Sequence, residues 1–185
     1  MKLAARTLLL LAGAAAAACS AGGSPSGPVV GATSVSFVPD GSALNNAVAL
    51  SLQTFDEQSV TLDVVLRNAT QPVTGVAVEL QYEPTALSSL GGSAGPFLTG
   101  ATTVSRAVAI PRSPGKLVAV FTQRDLYRGN VGSGTLGSFT LKLDGGAFSS
   151  PVRINAANST LFGPGGVPLT GDNFSGGTLD VRRGN

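Results

Sequence analysis

An all-β sandwich or barrel is the fold class this chain predicts, and three observations predict it. From Ala47 onward, apolar residues recur at every second position in short runs, the spacing that turns one side of a strand toward a core. Those runs are separated by stretches containing Gly, Pro, Asn and Asp, the residues of turns. Outside the first nineteen residues no segment sustains an apolar period of 3.6, and the only helical hint is Pro84-Thr85-Ala86-Leu87, one turn at most.

The chain opens with Lys2 and Arg6, an apolar run from Leu8 to Ala18, and Cys19, its single cysteine. A cationic start, an apolar core of about 7–15 residues and small residues before a cleavage point describe a secretory signal. The run is shorter than the ~20 apolar residues that span a bilayer. Ala16-Ala17-Ala18-Cys19 resembles the lipobox of bacterial lipoproteins, with Ala16 where leucine is usual. That resemblance implies a signal over residues 1–18, a lipid on Cys19 holding the chain to a membrane, and an extracytoplasmic location. Ser20 after the cysteine, rather than Asp, implies the outer membrane in a cell with two membranes. Residues 19–46 then read as the lipidated cysteine and a flexible tether. Ser20 to Pro28 is uncharged and rich in Gly, Ser and Pro, and cannot bury enough apolar surface to fold. Thr33–Val38 alternates like a strand, but Pro39-Asp40-Gly41 ends it at once, so the sandwich domain is placed at 47–182.

Within that domain the strands follow in order. Val48, Leu50 and Leu52 alternate with Ala49, Ser51 and Gln53; Val60, Leu62, Val64 and Leu66 alternate with Thr61, Asp63, Val65 and Arg67. Val76, Val78, Leu80 and Tyr82 share a face opposite Ala77, Glu79 and Gln81. Val104–Ile110 is a run closed by Pro111, and Leu117, Ala119 and Phe121 form the next inward set. In Leu136–Leu143 the step from Leu136 to Phe139 breaks alternation, which predicts a bulge near Gly137. Val152–Leu161 and Thr178–Val181 complete the series, with turns at Gly91-Gly92, Gly145-Gly146, Gly165-Gly166 and Gly176-Gly177.

Composition excludes several chemistries. There is no histidine, and a lipidated Cys19 leaves no thiol, so no imidazole base, thiolate nucleophile, disulfide or zinc-thiolate site is available. Asp56, Glu57 and Asp63 carry no catalytic motif, and no Asp-x-Asp-x-Asp-Gly calcium loop occurs. The chain is expected to be no enzyme and to need no cofactor or metal. Of its 12 Lys and Arg, Lys2 and Arg6 leave with the signal, so ten remain against ten Asp and Glu. A neutral mature chain is expected to show no electrostatic footprint for nucleic acid or anionic lipid. It is expected to be a monomer.

Ser59–Arg67 with Asn68, then Val73–Tyr82 running into Tyr82-Glu83-Pro84-Thr85-Ala86-Leu87, resembles the opening of a cohesin domain, with Glu83 where Asp is usual. Gly115–Phe121, Gly132–Lys142 and Gly176–Val181 resemble later strands of that family, in the family's order. The resemblance implies a jelly-roll β-sandwich of about nine strands. It also implies a non-catalytic module that recruits a dockerin-like or other secreted protein partner, with a link to polysaccharide degradation. Direct binding of a polysaccharide and a structural envelope role stay open as alternatives. With no Trp and only Tyr82 and Tyr127, the aromatic platform for sugar stacking is thin.

Two groups are candidate partner contacts. Glu79 and Gln81 point away from the apolar side of their strand. Arg124, Asp125, Tyr127 and Arg128 cluster in the least ordinary loop of the chain, and Arg and Tyr are the residue types enriched at binding hot spots.

Overall fold

The structure is a computed structural model that describes residues 32–41, 45–99 and 105–184. The signal, Cys19 and the Ser20–Pro28 tether lie outside the described residues. Twelve strands among the described residues form two sheets packed face to face. The seven-stranded sheet runs β1 (Ala32–Pro39), β12 (Gly177–Arg183), β9 (Phe148–Ile154), β4 (Gly75–Gln81), β7 (Lys116–Gln123), β6 (Ser105–Ser113), with β10 (Thr160–Phe162) paired to the start of β4. The five-stranded sheet runs β11 (Asn173–Ser175), β2 (Ala47–Phe55), β3 (Ser59–Val73), β8 (Asn130–Leu143), β5 (Leu87–Ala94). Pairing is antiparallel among the described strands except between β11 and β2. The expected all-β sandwich is therefore what the chain forms.

The alternating residues are the core. Val60, Leu62, Val64 and Leu66 of β3 face Val76, Val78 and Leu80 of β4 and Leu117, Ala119 and Phe121 of β7 across the sandwich, all fully buried. Burying one such Val, Leu or Phe is worth about 1.5–3 kcal/mol, which is why the period of two decides the fold. The bulge in β8 falls where the broken alternation put it: Val64 pairs with Gly137 and Val65 with Thr135, leaving Leu136 unpaired. The extra residue lets both Leu136 and Phe139 turn inward. A Cβ on Gly137 would fall inside the Phe121 ring, so a glycine is what lets the two sheets meet there.

Several boundaries differ from the sequence reading, each for a physical reason. The sandwich starts before Ala47, because β1 pairs with β12 along its length and turns Val35 and Phe37 onto the core. Asn68 does not end β3; it takes a left-handed turn (φ 49) inside the strand, which resumes to Val73. Pro111 does not close β6, because β6 lies at the sheet edge, where a missing N–H costs no ladder bond. Gly91 and Gly92 are not a turn but part of β5, a strand with too few apolar residues to show a period. A Cβ on Gly92 would lie 2.7 Å from the Ser138 carbonyl oxygen. The Val152–Leu161 segment splits into β9, a 3-10 turn at Ala156–Asn158 and β10. β5, β10 and β11 raise the strand count above nine. Pro84–Leu87 makes the single turn expected of it, with the Ala86 and Leu87 N–H groups donating to the Glu83 carbonyl. Among the described residues no helix is long and apolar enough to cross a membrane.

Candidate functional site

Antiparallel register lines up the outward residues of β6, β7 and β4. Ile110 sits opposite Val118, which sits opposite Glu79; Val108 sits opposite Val120, which sits opposite Ala77. Val108, Ile110, Val118, Val120 and Ala77 thus form one apolar patch on the outer face of the seven-stranded sheet. Val108 and Ile110 are 50% and 49% exposed. Arg106 and Arg112 flank the patch on β6, Lys116 on β7 and Arg153 on β9, opposite Gln81. An exposed apolar centre with a charged rim is the composition of a protein contact surface.

Glu79 and Gln81 lie beside this patch, but Glu79 already has an internal task. Its carboxylate accepts hydrogen bonds from Asn155 Nδ2 (2.7 Å) and Asn158 Nδ2 (3.0 Å), and Gln81 Nε2 adds a longer one (3.4 Å). The Glu79 N–H donates to Ser159 Oγ at 3.1 Å. These bonds, the Asn155 amide first, hold the Glu79 carboxyl below the usual carboxylate range. Glu79 therefore ties the Ala156–Asn158 turn to β4.

The Arg124–Arg128 loop follows the end of β7 and is fixed from beneath. Gln123 is buried, and its side-chain amide donates to the carbonyls of Asp125 and Arg128. The Tyr127 N–H donates to Asp125 Oδ1 at 3.0 Å, and the Gly165 N–H donates to the Leu126 carbonyl at 2.6 Å. On this fixed loop Tyr127 stands 86% exposed. A shallow cavity of 230 Å³ lies between Arg124, Asp125, Leu126, Tyr127 and Gly165.

The structure does not bring the two candidate groups together. Gln81 pairs with Lys116 at the start of β7, whereas the loop begins after Gln123 at its end. At about 3.3 Å per residue that separation is roughly 23 Å along the strand. The two candidate groups stand toward opposite ends of β7, and the apolar residues between them were not among the candidates. The available signal was the run Leu117-Val118-Ala119-Val120-Phe121, apolar at both parities, which marks a strand with an apolar outer side.

The outer face of the five-stranded sheet differs. Its outward row holds Ser51, Asp63, Ser138 and Ser93, beside Thr61, Thr140 and Thr135. Thr61 Oγ1 and Thr140 Oγ1 lie 3.0 Å apart, and Ser93 Oγ and Ser138 Oγ 2.8 Å apart. Asp63 is partly desolvated among them, its Oδ1 has no hydrogen-bond partner, and burial pushes its carboxyl above the usual range against a Thr135 hydrogen bond.

Other carboxylates are absorbed in turns. Asp56 accepts from the N–H groups of Gln58 (2.8 Å) and Ser59 (2.7 Å), and these bonds, Gln58 first, lower its pKa. Asp144 pairs with Lys142 Nζ at 2.6 Å and accepts from the Ser88 hydroxyl. Among the described residues no three His, Cys, Asp or Glu are grouped to hold a metal.

No family model matches the sequence, and no curated protein matches it. Solved structures do match the fold. The solution structure of the cohesin CaCohA2 from Clostridium acetobutylicum is 17% identical, with a TM-score of 0.58 over 75% of this chain and 92% of that one. The second type II cohesin module of the ScaA scaffoldin of Acetivibrio cellulolyticus is 16% identical, with a TM-score of 0.57 over 69% and 85%. The sixth cohesin of scaffoldin B from the same organism, solved in complex with a Cel5 dockerin, is 19% identical, with a TM-score of 0.52 over 71% and 96%. The chain has the fold of these cohesin modules.

Proposed function

We propose that this chain is a non-catalytic, extracytoplasmic binding module, held to a membrane through a lipid on Cys19, that recruits a dockerin-like partner onto the outer face of its seven-stranded sheet. The observation that carries this reading is the apolar patch of Val108, Ile110, Val118 and Val120 with its basic rim. Covering that patch removes apolar surface from water, and a stable complex asks for about 800 Å² on each side, an area a sheet face can supply. The dockerins seen bound to the sixth scaffoldin B cohesin and to CaCohA2 support the choice of partner. The engagement of Glu79, Asp56 and Asp144 within the fold supports a module without catalysis. A link to polysaccharide degradation follows only through such a partner.

Residues 20–185 contain every described strand and serve as bait against the organism's secreted and envelope fractions. Dockerins fold around calcium, so the expected result is calcium-dependent capture of a dockerin-bearing protein. The pair Val108→Asp and Val120→Asp should abolish that capture while leaving the thermal midpoint near wild type. Equal capture by both forms would place the contact elsewhere. The exposed Tyr127 ring above its cavity supports a second reading, direct glycan binding. It requires that the wild type be retarded on a polysaccharide affinity gel and that Tyr127→Ala run unretarded. Membrane attachment is tested by whether Cys19→Ser releases the chain from the membrane fraction.

A further inference from the structure

The ten basic and ten acidic residues beyond Arg6 cancel in number but not in position. The outer face of the seven-stranded sheet and the adjoining loops carry Arg106, Arg112, Lys116, Arg124, Arg128, Arg153 and Arg182, against Glu79, Asp125, Asp180 and Glu83, which lines one shallow pocket with Gln81 and Arg153. The rest of the chain beyond Arg6 therefore holds three basic residues and six acidic ones, so a neutral chain divides into a face near +3 and a remainder near −3. A chain neutral in total thus still carries a face of one sign.

The segregation is sharper than the count. On the basic side, Glu79 is engaged by the Asn155 and Asn158 amides, and Asp125 accepts the Tyr127 N–H. Arg106, Arg112, Arg124, Arg128 and Arg153 make no ion pair among the described residues. The ion pair that is described, Lys142 with Asp144, lies on the acidic side. Arg106 pairs with Thr122, the last outward residue of β7 before the loop, so Arg106, Arg124 and Arg128 gather at one end of the patch, beside Tyr127.

We infer that the partner of this face presents an acidic surface, densest where it meets the end of β7, around an apolar centre that covers Val108, Ile110, Val118 and Val120. The inference rests on the reading that this face is the docking surface. Complementary charge of this size steers encounter and suppresses partners of the wrong sign more than it adds affinity. A polyphosphate ligand would use the arginines but leave the apolar centre exposed. An acidic protein uses both, and that is why we assign a protein.

The test uses isotope-labelled residues 20–185 and three probes: deca-glutamate, deca-lysine and a short DNA duplex. In about 20 mM salt, where screening is weak, deca-glutamate should shift amides of β6, β7 and the 124–128 loop, and deca-lysine those of the 56–58 and 143–146 turns. Raising salt to about 300 mM should erase both patterns. The triple variant Arg106→Glu, Arg124→Glu, Arg128→Glu should keep the folded spectrum and weaken deca-glutamate binding about tenfold or more. Shifts scattered over both sides, unchanged binding by the triple variant, or DNA binding about tenfold tighter than deca-glutamate near physiological salt would each overturn the inference. Mapping that succeeds while calcium-dependent capture fails removes the dockerin reading and leaves the acidic partner standing. Capture that succeeds while mapping fails removes only this inference.

Discussion

On the five-stranded sheet, outward hydroxyls pair with one another across strands, Thr61 with Thr140 and Ser93 with Ser138. On the seven-stranded sheet, the equivalent positions of β6 and β7 carry Val108, Ile110, Val118 and Val120, which can gain only by being covered. The paired hydroxyls of the first face are already bonded to one another, so a partner that engages them would have to replace bonds already made for a net gain near zero, and Asp63 Oδ1 is left as the unpartnered acceptor. The second holds back apolar area that association recovers. Two faces of one sandwich, built from the same alternation, thus differ in what a partner stands to gain.

Both faces depend on one contact inside the sandwich, which makes it the harshest place to test the comparison. Gly137 belongs to the five-stranded sheet and Phe121 to the seven-stranded sheet, and no side chain fits between them. Gly137→Val should force the sheets apart and cost about 3 kcal/mol, at the upper end for overpacking. A urea midpoint unchanged from wild type would mean that the sheets slide past each other freely and that the two faces are not rigidly related.

A smaller effect is expected at the loop that ends the basic face. Gln123→Ala removes the donor shared by the Asp125 and Arg128 carbonyls. Losing part-buried hydrogen bonds of this kind costs about 0.5–1.5 kcal/mol each. Amide exchange should quicken over residues 124–128 and stay slow in β3 and β8. Unchanged exchange in the loop would show that the Gly165–Leu126 bond alone fixes it, and that Tyr127 and its arginines do not rely on Gln123.

How much of this was legible follows from which facts are local. The inward sets of β3, β4 and β7 and the β8 bulge follow from residue parity, which a single strand already displays. β5 escaped because Ser88, Ser89, Gly91, Gly92 and Ser93 leave too few apolar residues to set a period. The apolar patch required knowing that Val108 lies opposite Val120, and the basic face required bringing Arg153 of β9 beside Gln81 of β4. Neighbourhood across strands is set by topology, and no window along the chain contains it. The cluster Arg124–Arg128 was visible as composition, but its rigidity came from Gln123, whose inward turn the sequence does not mark.

The mildest prediction concerns two carboxylates, one on each face, whose pKa values move in opposite directions. Asp63 on the five-stranded face is raised by desolvation, so ionising it opposes folding. That penalty is full above its folded pKa and absent below the ordinary value of 3.8. Asp63→Asn should therefore raise the thermal midpoint at neutral pH, and its advantage over wild type should close as pH falls through that window. Glu79 is lowered, chiefly by the Asn155 amide, so its charge favours folding above the ordinary value of 4.5 and ceases to do so as pH falls through its folded pKa. Glu79→Gln should lower the midpoint at neutral pH, with the deficit vanishing in acid. The two difference curves approach zero from opposite signs, and midpoints measured from pH 7 down to about 3 resolve them. If Asp63→Asn instead lowers the midpoint at pH 7, the carboxylate is stabilised on its face, and the contrast between a self-satisfied hydroxyl face and a face that awaits a partner loses its electrostatic half.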